Sequence, residues 1–360
     1  MRGKLVLEDG SSFSGQLVTE CRAVGEVVFN TSAAGYQEIL TDPSYCGQIV
    51  TMTYPLIGNY GTAAKFDQSQ ASCVGGLIIN ELCQTPSNWE METSLSAYLQ
   101  EKNIPCLTGV DTRAITRQVR SLGAMRGVIV PENFPQEELA KLLKEPVDQE
   151  VVQKVTTRAK YQLPAASGPH LVVVDLGIRK SILKGINKVG PVTVVPATTS
   201  AADILSLNPA GVIFSNGPGN PQAVAAVIAT AKELIGKKPL FGFGLGHQVL
   251  ALALGADTYK LKHGHRGANS PVQDVTSGRV YISEQNHGYA VCEKSLADLE
   301  LVVTHRSLND GTIEGLKHQT LPIYSVQHLP EMSPGFDDNS YFFHEFIPAV
   351  NKEAALKGVQ

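Results

Sequence analysis

The sequence predicts an α/β protein of two domains: a mixed, β-rich front half, and a back half built on a mainly parallel sheet covered by helices. Three observations predict it. At 360 residues the chain exceeds what a single hydrophobic core usually supports. Up to about residue 130, short β-branched and aromatic runs alternate with turn signals. From His170 onward, strands alternate regularly with short helices.

In the front half, "KLVLEDGSSF", "GEVVFNTSAAGY", "GQIVTMTYPLIGNYG" and "VGGLIINELC" read as short strands. Helical spacing appears in "METSLSAYLQEKN" and "TRAITRQVRSLG". Beyond residue 130 the character changes: a charged, proline-bearing stretch ending in "PAASGP" reads as a helix plus linker. The expected division is therefore 1–130, a helix and linker over 131–168, and 169–360.

In the back half, "HLVVVDLG", "PVTVVPA", "AGVIFSNGPGNP" and "PLFGFG" read as strands. Between them, "IRKSILKGINKVG", "SAADILSLN" and "AVAAVIATAKELIGKK" read as helices. This order implies right-handed βαβ units and a parallel sheet covered on both faces. Ligands on such sheets sit at the carboxyl ends of the strands. Two glycine turns, Asn216–Gly219 and Gly244–Gly246, fall at such ends.

Composition narrows the function. Hydrophobic residues make up 43% and charged residues 18%, with a net charge of −4, so there is no electrostatic footprint for nucleic acid or an anionic membrane. No apolar run approaches membrane-spanning length, and "MRGKLVLEDG" reads as a first strand and turn rather than a leader. A cytoplasmic protein is expected. Six cysteines, Cys21, Cys46, Cys73, Cys83, Cys106 and Cys292, lack CxxC spacing and are expected to be free thiols.

The chemistry is concentrated in "GFGLGHQVLALA". Gly242, Gly244 and Gly246 copy the G-x-nucleophile-x-G layout, where small flanking residues permit a sharp strand-to-helix turn that displays its central side chain. The helix N-terminus that follows offers N–H groups to an anionic intermediate. Glycines at a strand-helix junction also serve packing alone. Here the apex is glycine, so the turn displays no nucleophile.

The segments "SNGPGNP", "PLFGFGLGHQVLALA", "KLKHGHRGAN", "SEQNHGYAV", "THRSLNDGTIEGLKH" and "YSVQHLPEMSPG" follow one another. In this order they resemble the class I glutamine amidotransferase domain, of flavodoxin-like fold, found in the small subunits of carbamoyl-phosphate synthases. "GEVVFNTSAAGYQEILTDPSYCGQIVTMTYPLIGNYG" resembles the N-terminal domain of the same family. The resemblance covers nearly the whole chain. It implies that glutamine is hydrolysed by a cysteine-histidine-glutamate set and that ammonia passes to a large subunit, which makes carbamoyl phosphate from bicarbonate with ATP and Mg²⁺. No cofactor is implied in the small subunit itself. Whether the product feeds arginine or pyrimidine synthesis stays open.

Carried over by position, the family's G-[IV]-C-L-G-H-Q falls on "GFGLGHQ", with Gly244 where the cysteine belongs. Its S-V-Q-Y-H-P-E falls on "SVQHLPE", with Leu329 where the histidine belongs and Glu331 kept. The glutamine-holding positions correspond to Ser44, Gly217, Gly219, Leu245, Gln248, Asn286, Gly288 and Tyr289, and Ser270 stands where the family usually has histidine. Main-chain groups at glycines approach an amino acid closely, so much of this set does not depend on side-chain identity.

No other residue replaces the missing pair. His328 neighbours the base position, but successive strand side chains face opposite ways unless a bulge re-aims one. His247 and His287 have counterparts in active members of the family. The pair His263 and His265 lacks a third ligand for a metal, and Cys292 reads as a core thiol.

Two functions follow as expectations. One is a small subunit without glutaminase activity, supporting ammonia-dependent synthesis; the other is a non-catalytic glutamine-binding or scaffold subunit. Both imply L-glutamine and the large subunit as partners. The replacements are compatible with natural loss and with alteration of an active parent.

Overall fold

The computed structural model describes residues 1–146, 148–163, 167–329 and 343–358. It divides the chain into two compact units, Met1–Asp148 with Lys262–Gly267, and Gln149–Leu261 with Ala268–Gln360.

The first unit is a closed barrel. Its strands are β1 (Arg2–Leu7), β2 (Ser12–Leu17), β3 (Ala23–Asn30), β4 (Gln48–Met52), β6 (Gly76–Ile78), β8 (Cys106–Thr108) and β9 (Met125–Pro131), while β5 (Leu56–Ile57) and β7 (Glu81–Leu82) form a separate pair. The barrel order is β1-β2-β8-β6-β4-β3-β9. Strand alternation explains its interior: Leu5, Leu17, Val27, Ile49, Ile78, Leu107 and Ile129, one from each strand, meet in a single cluster. Their neighbours Val28, Val50 and Leu77 turn the other way, onto α1 (Tyr36–Thr41) and α2 (Leu95–Glu101). Ser94 Oγ caps α2 by accepting the Ala97 N–H at 3.2 Å, and Asp111 caps α3 (Thr112–Leu122) by accepting that of Ala114 at 2.9 Å.

In the second unit a ten-stranded sheet has the order β10-β12-β11-β13-β14-β19-β18-β17-β15-β16. Its parallel centre comprises β11 (Leu171–Asp175), β12 (Val192–Pro196), β13 (Gly211–Phe214), β14 (Leu240–Phe243) and β19 (Ile323–Val326). Antiparallel strands extend it: β10 (Tyr161–Gln162) on one side, and β18 (Ile313–His318), β17 (Leu301–Ser307), β15 (Thr258–Asp274) and β16 (Val280–Val291) on the other. Alternation again sorts the core. Val172, Val174, Val212 and Leu240 face one side with α5 (Val151–Val155), α7 (Ala201–Ser206), α8 (Ala225–Leu234) and α9 (Leu245–Ala253). Leu171, Val173, Ile213 and Phe241 face the other with α6 (Lys180–Asn187) and α10 (Phe343–Gly358). Burial on both faces is why these strands read as continuous apolar runs.

The described residues of 131–168 pack against the units they adjoin. Leu139 of α4 (Gln136–Lys144) packs on Val6, Val128 and Val130 of the barrel. Val152 of α5 joins the second core, and β10 pairs with β12. Only a few apolar residues anchor each piece, and the surrounding charge hides them. The back half is not contiguous. Lys262–Gly267 belongs with the barrel, where the Ala124 N–H donates to Lys262 O at 2.7 Å and Arg266 Nε donates to Gln48 at 3.3 Å.

The glycines of the β14–α9 turn are fixed by close backbone packing. A Cβ on Gly246 would lie 2.0 Å from Phe214 O, and one on Gly242 would lie 2.5 Å from Gly246 O. Gly185, on α6, has nothing within 4 Å of the same point. Gly246→Ala is therefore expected to cost about 1–3 kcal/mol or more and Gly185→Ala to gain up to about 1 kcal/mol. Urea unfolding of the two variants checks the contrast.

Candidate active site

The turn between β14 and α9 has the geometry of an elbow that displays a nucleophile. Gly244 sits at φ 58°, ψ −119°, a conformation that costs an L-residue about 1–3 kcal/mol. Its N–H donates to Val326 O of β19 at 3.1 Å, and the Gly246 N–H donates to Ser215 O beyond β13 at 3.0 Å. The elbow is thus fastened to the strands on both sides. A Cβ at Gly244 would meet Asn216 Cβ at 3.0 Å, so any side chain at the apex needs the Asn216 turn to yield by a few tenths of an ångström.

That neighbouring turn is itself braced. Asp175, ending β11, accepts the N–H groups of Gly177 and Ile178, each at 2.9 Å, and that of Thr157 at 2.7 Å. Burial pushes its carboxyl pKa up against these hydrogen bonds. Ser215 Oγ accepts the Leu176 N–H at 2.9 Å, and Asn216 Nδ2 donates to Gly177 O at 3.0 Å. Gly217 is required here, since a Cβ would lie 2.2 Å from Leu176 O. Gly219, at φ 92°, is exposed.

The other sequence-predicted positions in this unit fall into two groups. Leu245 and Gln248 are buried on α9. Gln248 Nε2 donates to Tyr289 O and to Gln327 Oε1, both at 2.8 Å, so its side chain ties the helix to β16 and to the residues following β19. Asn286, Gly288 and Tyr289 lie half-buried on β16. Between them His287 is buried, with Nδ1 hydrogen-bonded to Tyr289 O at 2.8 Å and Nε2 3.7 Å from Glu314. Ser44 belongs to the barrel unit, buried in the turn Pro43–Tyr45 with its N–H on Asp42 Oδ1 at 2.8 Å. Ser270 lies on β15, its carbonyl accepting from Ser283 Oγ at 2.9 Å. Glu331 lies outside the described residues.

Leu329, at the position the resemblance expects to hold the base, is buried in the apolar cluster of Phe241, Phe243 and Val326. Its N–H donates to Glu284 O at 3.0 Å. Adjacent His328 is fully buried against the edge of the His305 ring, with centroids 5.8 Å apart and planes at 68°. The two neighbours therefore enter different surroundings. His263 and His265 lie in the Lys262–Gly267 segment that belongs to the barrel unit, with His263 against Phe29 at 5.5 Å. Cys292, half-buried, has its N–H on Asp257 O.

Sequence reasoning missed a buried ion pair: Arg179 Nη1 lies 2.6 Å from Glu284 Oε1, with the arginine side chain wholly buried. A charge so desolvated persists only with a partner. Glu284 thus holds α6 through its side chain and Leu329 through its carbonyl. Arg179 lies in no motif, Glu284 lies within "SEQNHGYAV" where no charge partner is apparent, and they stand 105 positions apart.

Three imidazoles share the region beside β19. Burial pushes His247 down to about 3. It also holds His328 well below the usual histidine value, helped by the adjacent His305 and His247, and lowers His305, opposed by Asp274. His247 Nδ1 meets Ser325 Oγ at 2.9 Å. Because the folded values are depressed, the unfolded chain takes up protons first as pH falls below about 6.5, and stability present above that pH is lost. Between about pH 7 and pH 5 the loss is expected to reach about 2 kcal/mol for each imidazole held neutral. Denaturant midpoints measured across this range check it, and a flat profile would contradict it.

Both halves of the chain match known family models. The model of the carbamoyl-phosphate synthase small chain, CPSase domain, matches residues 5–129, and that of class-I glutamine amidotransferase matches residues 172–349. The pyrimidine-specific small chain of carbamoyl phosphate synthase from Halalkalibacterium halodurans is 48% identical over 361 residues, covering 99% of each chain. The small chain from Bacillus anthracis is 48% identical over 352 residues, covering 97% of this chain and 96% of that one. Among solved structures, a glutamine amidotransferase from Thermotoga maritima aligns with 54% of this chain and 87% of its own, at 16% identity and a TM-score of 0.36.

Proposed function

The chain belongs to the carbamoyl phosphate synthase small-chain family, and we propose that it serves as a small subunit that no longer hydrolyses glutamine. On this reading it binds the large chain, which carries ATP and Mg²⁺, and the complex makes carbamoyl phosphate in the cytoplasm from free ammonia.

The observation that carries the reading is the pairing of Gly244 at the elbow's apex with Leu329 at the base position. Acyl transfer from an amide needs a nucleophile to form the covalent intermediate and a base to take and return its proton. Glycine offers no side-chain heteroatom, and leucine has no side-chain group to take or return a proton. Attack by water alone remains, and losing one member of such a set costs on the order of 10⁴ to 10⁶ in rate. The histidines nearby do not stand in. His247 and His328 are sealed in low-dielectric surroundings that disfavour their protonated forms.

A second reading, that glutamine is still bound without being cleaved, is favoured by the Gln248 bridge to Tyr289 O. That bridge keeps the strand bearing Asn286, Gly288 and Tyr289 tied to the elbow helix. Calorimetry with glutamine separates the readings: heat of binding without ammonia release supports the sensor.

The main test is glutamine hydrolysis by the purified chain, alone and with its large chain. Release at the level of a no-enzyme control is expected, while Gly244→Cys with Leu329→His is expected to gain activity. Hydrolysis by the unaltered chain well above the control would overturn the proposal.

A further inference from the structure

At the opposite end of β14 and β19 from the elbow lies a second cleft, of about 590 Å³. The lead-in residues Gly236–Pro239 and Gln319–Pro322 border it, just ahead of Leu240 and Ile323, which pair in parallel. It shares no residue with the elbow. Its volume is that of a small-molecule site.

The charge of this cleft is unlike that of the chain. Lys237, Lys238, Lys317 and Lys352 all line it, against one carboxylate, Glu353, whereas the whole protein carries a net charge of −4. Glu353 is engaged with Lys238, Nζ to Oε1 at 2.7 Å. Lys237, Lys317 and Lys352 have no ion pair among the described residues. Two of the four lysines have an ordinary reason to be there. Lys237 and Lys238 follow the carboxyl end of α8, where exposed carbonyls favour cations. Lys317, on β18, and Lys352, inside α10, have no such reason. Lysines from three separate stretches of chain, the turn after α8, β18 and α10, therefore line one concave surface.

Such an arrangement suits a compact ligand with several negative charges. Lysine acts on phosphate as a point charge with three donors and needs no fixed fork geometry. Apolar residues also line it: Pro239, Leu321, Pro322 and the partly buried Tyr324. The rim at His318 is held firm: its Nδ1 accepts the N–H groups of Thr320 and Leu321, each at 3.2 Å.

We propose that this cleft binds a di- or triphosphate group, with the phosphate oxygens on Lys237, Lys317 and Lys352. Two sources share that chemistry: inorganic polyphosphates, and nucleoside di- or triphosphates whose base would lie on the apolar residues. The proposal stands independently of the fate of the glutaminase.

Titration calorimetry on the full chain, without its large partner, tests it with sodium tripolyphosphate and magnesium-free ATP as probes. Both are expected to bind, more weakly as salt rises, and to lose at least tenfold in affinity in Lys317→Gln/Lys352→Gln at unchanged thermal midpoint. Tighter binding of ATP than of tripolyphosphate points to the nucleotide source; equal binding points to the phosphate chain alone. Failure of both probes to bind overturns the proposal. So does undiminished binding in the double variant, or an equal loss in Lys141→Gln/Lys144→Gln, whose lysines lie on α4 of the barrel unit.

Discussion

Two backbone hydrogen bonds hold the site together: Gly244 N–H to Val326 O, and Gly246 N–H to Ser215 O. They join the elbow to the strands on either side of β14. Gly242 and Gly246 are demanded by close contact with backbone atoms, while Gly244 is favoured by its positive φ. A side chain at 242 or 246 would disturb β13, β14 and α9 together. The elbow is therefore a packing unit of the fold whether or not it carries chemistry.

On the proposed reading, this is how a reaction centre would lose its reactive atom while its outline remains. A cysteine at the apex would hold its backbone in a conformation costing about 1–3 kcal/mol and press on Asn216. Glycine adopts the same conformation freely. At the base position the exchange runs the same way, since Leu329 joins Phe241, Phe243 and Val326 where an imidazole would need hydrogen-bonding partners. On that reading both replacements would favour stability. The surrounding polar structure is kept in place by its own bonds, with Gln248 on Tyr289 and Gln327, and Arg179 on Glu284.

The parts legible in sequence are those with a local signature. Doubly buried strands such as Leu171–Asp175 announce themselves as apolar runs, and the barrel strands show the alternation that sorts Leu5 and Val27 inward. The elbow was visible because its glycines occupy fixed spacings. What was not legible depends on contacts distant in the chain. Nothing near Lys262–Gly267 indicates that Arg266 reaches Gln48, and nothing near Arg179 or Glu284 indicates their pairing. The segment 131–168 reads as a linker because its packing residues, such as Phe134, Leu139, Leu142 and Val152, are scattered among charged ones. The lysine cleft was illegible for a similar reason: its four cations come from three stretches of chain, and each alone is an ordinary surface residue.

The central claim is that the elbow persists as architecture while nitrogen for the synthase comes from elsewhere. The most direct measurement supplies the reconstituted complex of small and large chains with amide-¹⁵N glutamine and unlabelled ammonium together, and follows the isotope in carbamoyl phosphate. The account predicts product nitrogen drawn entirely from ammonium, with no label above that of the large chain alone. Label entering carbamoyl phosphate in a manner dependent on this small chain would contradict it.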